Sequence, residues 1–352
     1  MKLALFFSLV FAMPLSSSAA EFVATSAPPL PSAYNPAATL PDGTALVLGR
    51  NRHGQIFDPK TGSFRTTAGF AHVLHTGGHA IALSSGQILI AGDFYSDYVD
   101  IYDPGTDQFN SFRGLEPRRQ AGVALLKDGR ALIVGGETQT AELFDPITGK
   151  FTRTGNPVVW QMWPIAVSLG DGRVLIAGGS GSRQGDFTEA EVYDPATGQF
   201  TQVAPIPSGA YRSPVSQAIE LADGRAFVLG HQEDPLLAVA YLFDPATNAF
   251  VRAAPLVELG RGAGGLTLLR DGKVLLAGGG GFKEDGSSTV LNTAELFDPA
   301  TGRFTATTTM VEARYGINGA LMGDGSVLLV GGFGLHGIGP NSVLLSAEIY
   351  RP

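Results

Sequence analysis

The chain has no cysteine. That absence excludes disulfide staples, thiolate nucleophiles, lipidated cysteine anchors and cysteine-ligated metal sites, so stability in an oxidising compartment must come from packing. Any metal would have to use His, Asp or Glu. A long hydrophobic run is missing too: Leu3 to Leu15, 13 residues including Pro14, falls short of the ~20 that a membrane span needs. Charge is scarce at 16%, the net charge is −8, and no Lys/Arg cluster supplies the basic stripe that a nucleic-acid partner requires. Tryptophan is confined to two residues, Trp160 and Trp163, three apart in one short stretch.

Glycine and proline, 47 and 22 residues, are what the chain has in quantity, and they punctuate apolar runs of five to seven residues. Such runs are too short for a globular helix, and their Val, Ile, Leu and Phe content reads as strand. The stretch Leu126 to Phe151, LKDGRALIVGGETQTAELFDPITGKF, holds a pattern that recurs along the chain. An apolar run meets Asp-Gly, a second run ends in glycine, a variable spacer follows, and a third run ends in Asp-Pro-x-Thr-Gly before a phenylalanine. Asp-Gly between apolar runs signals a tight hairpin, and Asp-Pro-x-Thr-Gly signals a second turn with its glycine in a left-handed conformation. Each unit is therefore four strands with two short connections and two variable ones.

Seven hairpin dipeptides mark seven units: Asp42-Gly43, Ser85-Gly86, Asp128-Gly129, Asp171-Gly172, Asp223-Gly224, Asp271-Gly272 and Asp324-Gly325, spaced 43, 43, 43, 52, 48 and 53 residues apart. The seventh unit stops one strand short at Pro352, while Glu21 to Thr25 reads like the missing fourth strand. The termini are thus expected to pair in one blade. Before that strand, Lys2, the apolar run and Ser18-Ala19-Ala20 read as a signal peptide over residues 1–20, cut after Ala20. The expectation is a secreted or periplasmic protein whose residues 21–352 form one domain.

A period of this length with four strands and a double glycine, as at Gly135-Gly136, Gly178-Gly179, Gly278-Gly279 and Gly331-Gly332, resembles the bacterial kelch-repeat proteins over essentially all of residues 21–352. The resemblance implies an all-β fold: a seven-bladed β-propeller of four-stranded antiparallel blades, closed by the N-terminal strand. The fourth-strand aromatic is Phe here, where kelch repeats often carry Trp. Units one, two and five replace the second glycine by Arg50, Asp93 and His231, which makes those three residues candidates at the start of variable loops.

Antiparallel blades put the two tight turns on one face and the two variable connections on the other, where function is expected. About ten residues before each hairpin dipeptide stand Ser32, His75, Arg118, Gln161, Arg212, Arg261 and Arg314. In propellers of this resemblance, Arg and Ser at such places contact ligand. The same arginines could instead pair with loop carbonyls or with Glu116, Glu258 or Glu312. Trp160 and Trp163 share one inter-blade loop, with Tyr211 and Tyr315 in equivalent loops, and aromatic faces beside guanidinium forks suit sugars, acidic sugars or a carboxylate-bearing peptide. The expected site is thus Arg118, Arg212, Arg261, Arg314, His75, Gln161, Trp160, Trp163, Tyr211 and Tyr315 with Arg50, Asp93 and His231, taking a glycan or a protein or peptide ligand.

No cofactor or metal is expected: Gly77-Gly78 interrupts any regular alignment of His72, His75 and His79, and the glycine run at 278–281 precedes no helix that would cradle a phosphate. A monomeric binding module is the first reading. The second is an isomerase, mutarotase or lyase for an acidic sugar, because some of the secreted propellers that this chain resembles are sialate mutarotase-like. Arg261 or Arg314 would then hold a carboxylate while Glu137, Glu233, His231 or His75 moved a proton. A copper radical oxidase of the galactose oxidase type requires a thioether-linked cysteine that this chain does not have.

Overall fold

The computed structural model describes residues 19–49, 51–92, 96–181, 188–207, 217–231, 238–258, 261–262, 264–282, 287–334 and 343–352. Seven four-stranded antiparallel sheets form the blades of a seven-bladed β-propeller. Blade three shows the pattern: Gly122–Leu125 innermost, then Ala131–Val134, Ala141–Asp145 and, at the rim, Lys150–Arg153. The second strand is buried along its whole length in this blade as in the others with the pattern Ala45–Leu48, Ile88–Ala91, Val174–Ala177, Val274–Ala277 and Val327–Val330. Both of its faces pack on neighbouring blades, which is why these runs are continuously apolar instead of alternating.

Closure follows the expected route. Glu21–Ala24 lies antiparallel to Ala347–Arg351, with Phe22 opposite Tyr350 and Val23 opposite Ile349. The first strand of the chain thereby becomes the rim strand of the last blade. Ala45, Val47 and Phe57 of blade one then share one apolar cluster with Ala320, Leu328, Val330 and Ile349 of blade seven. Phe22 against Tyr350, at 4.9 Å between ring centroids, repeats a contact present in every blade: Phe57–Phe64, Tyr102–Phe109, Phe144–Phe151, Tyr193–Phe200, Phe243–Phe250 and Phe297–Phe304 lie at 4.7 to 4.9 Å. The aromatic before each Asp-Pro turn and the phenylalanine after it are therefore one packing unit, worth about 0.5–1.5 kcal/mol beyond the area each buries.

The hairpin is a three-residue turn rather than the two-residue turn that Asp-Gly suggests. Leu126 accepts from Gly129 N–H and donates to the carbonyl of Arg130, with Gly129 at φ 89° and the Asp128 carboxylate accepting from Arg130 N–H. That is a type I turn closed by a left-handed glycine. The Asp-Pro turn is as expected, with Gly149 at φ 68° donating to Asp145.

On the opposite face the variable connections are unequal. In blades four, six and seven they add their own ladders: Gln161–Met162 on Ser180–Gly181, Gly280–Phe282 on Ser288–Val290, and Tyr315 on Phe333 on Val343. The extra residues that lengthen the later spacings thus build backbone on the variable face. No helix among the described residues is long and apolar enough to cross a membrane. Residues 1–18 of the expected signal peptide, and Arg50, Asp93, Tyr211 and Arg212, lie outside the described residues.

Candidate functional site

The three described arginines of the expected ring are not at the mouth. Arg118, Arg261 and Arg314 are 4%, 0% and 0% exposed, and each turns back into its own blade. Arg118 Nε donates to Glu142 at 2.7 Å, Arg261 Nε to Glu295 at 3.0 Å, and Arg314 Nη2 to Glu348 at 2.7 Å. Most of the remaining donors are taken as well, Arg314 Nε being the exception. Arg118 reaches the carbonyls of Gly135 and Thr140, Arg261 those of Gly278 and Thr293, and Arg314 those of Gly331 and Ser346.

The expectation of guanidinium forks presented to an anionic ligand is therefore corrected. The reason is the other half of the repeat: in blades three, six and seven the third strand carries a buried carboxylate, Glu142, Glu295 and Glu348, that needs a cation. That carboxylate also accepts a backbone N–H from the incoming loop, from Leu115, Val257 and Val311 at 2.6 to 2.8 Å. First glycine, arginine and glutamate thus form a lock in blades three, six and seven, fixing the loop to the third strand.

Other blades carry variants of the lock. In blade two His75 Nε2 meets Asp100 at 2.6 Å, with both side chains buried. In blade one Gln55 exchanges hydrogen bonds with the backbone of Leu30, and Ser32 donates to the carbonyl of Leu48. In blade four Gln161 stands where the arginine would be. It is buried and donates to the carbonyl of Glu189, leaving Glu191 with Val158 N–H at 2.8 Å but, among the described residues, no cation. Burial, reinforced by the charge of Glu189, pushes the Glu191 carboxyl up to about 7. His75 and Gln161 therefore belong to the locks and not to the mouth, as Arg118, Arg261 and Arg314 do.

What does line the axis is a cavity of about 380 Å³ at the start of the inner strands. Its wall is apolar: Ile165, Ala166, Ala218, Ile219, Leu266 and Ile317. Its polar groups are neutral: Tyr34, His79, Gln120, Gln217 and Asn318. Among the described residues no charged side chain lines it. Gln217 Nε2 donates to the carbonyl of Gly264 at 2.7 Å, and Asn318 Nδ2 to that of Asn35 at 2.8 Å. Those carbonyl acceptors fix both amides, so each is oriented by what its NH₂ group must satisfy. Burial lowers the pKa of His79, and burial with the neighbouring Tyr315 raises that of Tyr34.

Tyr34, Tyr315 and Phe333 form an aromatic cluster beside the cavity, with ring centroids 5.4 to 6.4 Å apart. Of the two tryptophans, Trp160 is half-buried and Trp163 is 47% exposed. His231 ends the second strand of blade five, opposite Ala238, with no description of its side chain. The three neighbouring histidines do not meet: His72 stacks on Tyr98 at 3.9 Å, His75 is in its lock, and His79 is on the cavity wall. Among the described residues no three His, Asp or Glu side chains converge as metal ligands.

Sequence reasoning did not single out Tyr34, Gln120, Gln217 and Asn318, and considered His79 only as a metal ligand. The signal that finds Tyr34 and Gln120 is a place two residues nearer the strand than the arginines, where Gly77 and Gly316 also stand.

The Kelch motif family matches residues 164–207, which is blade four. A search of curated proteins gives no match. Among solved structures, a streptogramin B lyase aligns with 94% of this chain and 97% of its own at TM-score 0.67 and 9% identity. YjhT aligns with 92% and 96% at TM-score 0.52 and 13% identity. A copper-bound fungal alcohol oxidase of the AA5 family aligns with 78% and 73% at TM-score 0.49 and 19% identity.

Proposed function

We propose that this seven-bladed propeller, whose fourth blade matches the Kelch motif, is a ligand-binding module for a neutral carbohydrate held in its axial cavity. The observation that carries the reading is the lining itself: neutral donors and acceptors set in an apolar wall, in a volume within the ~300–1,000 Å³ typical of small-molecule sites. Sugar hydroxyls both donate and accept, and they suit side-chain carbonyls whose amide hydrogens are already engaged. Among the described residues a carboxylate ligand would meet those acceptors without a guanidinium to offset them, because Arg118, Arg261 and Arg314 are spent inside the blades. The acidic-sugar reading thereby loses its anchor, and Arg261, Arg314 and His75 cannot serve it as catalytic groups. We place the protein outside the cytoplasm on the signal-peptide reading of residues 1–20, and as a monomer.

An array of neutral and acidic glycans and of peptides, probed with residues 21–352, tests the reading. Neutral glycans bound in preference to sialylated or uronic ones support it, while binding confined to acidic glycans or to peptides contradicts it. One observation favours catalysis as a second reading. His79 lies on the cavity wall with its imidazole held neutral by burial, the form that accepts a proton. Incubating a bound sugar with the protein and following its anomeric signals by NMR separates the two. Accelerated interconversion that His79→Gln abolishes makes the protein an enzyme, and an unchanged spectrum leaves it a binder.

A further inference from the structure

Eight residues before each hairpin dipeptide, the inter-blade loop passes through a left-handed backbone at every described copy. The residues and φ values are Tyr34 54°, Gly77 76°, Gln120 48°, Trp163 57° and Gly316 65°. The turn is demanded by the repeat, since it steers the chain from the lock into the inner strand. Glycine meets the demand without strain, as blades two and seven show. A side chain with a Cβ does so at a cost on the order of 1 kcal/mol.

Three blades nonetheless carry large side chains there, and the position opens on the axis. Tyr34, Gly77, Gln120 and Gly316 all line the cavity, and Trp163 stands exposed two residues before the lining residue Ile165. Among the described residues the Gln120 amide has no hydrogen-bond partner, so the strain is not offset by a bond within the protein.

We infer that Tyr34, Gln120 and Trp163 are the specificity-determining residues of the axial site: the Trp163 face stacks on a sugar ring while the Gln120 amide and Tyr34 hydroxyl read its hydroxyl groups. This rests on the carbohydrate reading above. Strain retained at these positions places an amide and a phenol on the cavity wall and an exposed indole at the equivalent place of blade four, where glycine would give a wider and featureless opening.

The test replaces Gln120 and Trp163 by Gly, the residue that the backbone prefers. Both variants are expected to melt higher than the parent, by about 2 °C for a chain of this size. Each is expected to bind the best neutral glycan of the array at least about tenfold more weakly, the equivalent of one lost hydrogen bond or stacked face. Asn248→Gly is the control. Asn248 is left-handed at φ 52° on the opposite face, in a turn where Gly149, Gly198 and Gly302 stand in other blades, so it should gain stability with no change in binding. Unchanged glycan affinity in Gln120→Gly and Trp163→Gly, or a lower melting temperature in both, overturns the inference alone. Failure of the unsubstituted chain to bind any neutral glycan overturns the carbohydrate reading itself.

Discussion

Buried ion pairs set the character of this protein at the scale of single residues. Arg261 is fully buried, and burial drives its pKa down while Glu295 opposes the drop. Removing one partner strands the other, so Arg261→Ala and Arg314→Ala should each cost about 3–5 kcal/mol in urea unfolding. Replacing both members of the pair with apolar residues, Arg261→Met with Glu295→Leu, should cost far less.

Blade four is the natural counter-experiment, since Glu191 lacks the cation. Its carboxyl titrates near 7 in the folded chain against an ordinary value of 4.5, so the folded state holds the proton more tightly. The resulting stabilisation is complete below about pH 4.5 and is lost as pH rises through 7, with an upper bound of about 3 kcal/mol. The difference in stability between the parent and Glu191→Gln should accordingly shift in favour of the variant from pH 4.5 to pH 8. Gln161→Arg should restore the lock and remove the effect. A pH-independent difference would show that Glu191 is ionised throughout.

Among the elements, Glu21–Ala24 has the largest leverage for its length. It supplies the rim strand of blade seven and carries Phe22 onto Tyr350. Deleting residues 21–26 exposes the edge of Ala347–Arg351 and opens the ring, so the melting temperature should fall by many degrees, whereas Phe22→Ala, at a half-buried site, should cost about 2 kcal/mol. An unchanged melting curve after the deletion would mean that closure rests on the inter-blade clusters alone.

The repeat made this pairing legible, because the strand missing at Pro352 and the unmatched segment after Ala20 are the same length and share a phenylalanine. Turn geometry was less legible: Asp-Gly suits both two- and three-residue hairpins, and the hydrogen bond of Leu126 to Arg130 decides between them.

Across the whole molecule, the period fixed blade count, facing and closure, because each is a property of spacing. It could not reveal which residue of an inter-blade loop faces the axis. The backbone turns through the left-handed Gln120, so Arg118 points into the blade while Gln120, two places on, lines the channel. Charge composition misled in the same way. Arginines at comparable positions look like a binding surface until the third-strand carboxylates are recognised as the partners of Arg118, Arg261 and Arg314. Strand register pairs them, since Glu142, Glu295 and Glu348 lie opposite Ile133, Leu276 and Leu329, the third residue of the second strand in each blade.

The later, longer spacings also gained meaning in three dimensions. The added ladders of blades four, six and seven stand on one side of the axis, whereas blades one to three have short connections. A ligand longer than the cavity should therefore leave over the low side.

Isoleucine methyl groups report on the axial site directly, since Ile165, Ile219 and Ile317 line it and Ile147 stands 93% exposed on the opposite face. In a methyl NMR titration of the δ1-labelled protein with a neutral oligosaccharide, the signals of Ile165, Ile219 and Ile317 should shift together and saturate while Ile147 stays still. Saturable binding that leaves those three unmoved would put the ligand elsewhere and contradict the axial cavity as the site.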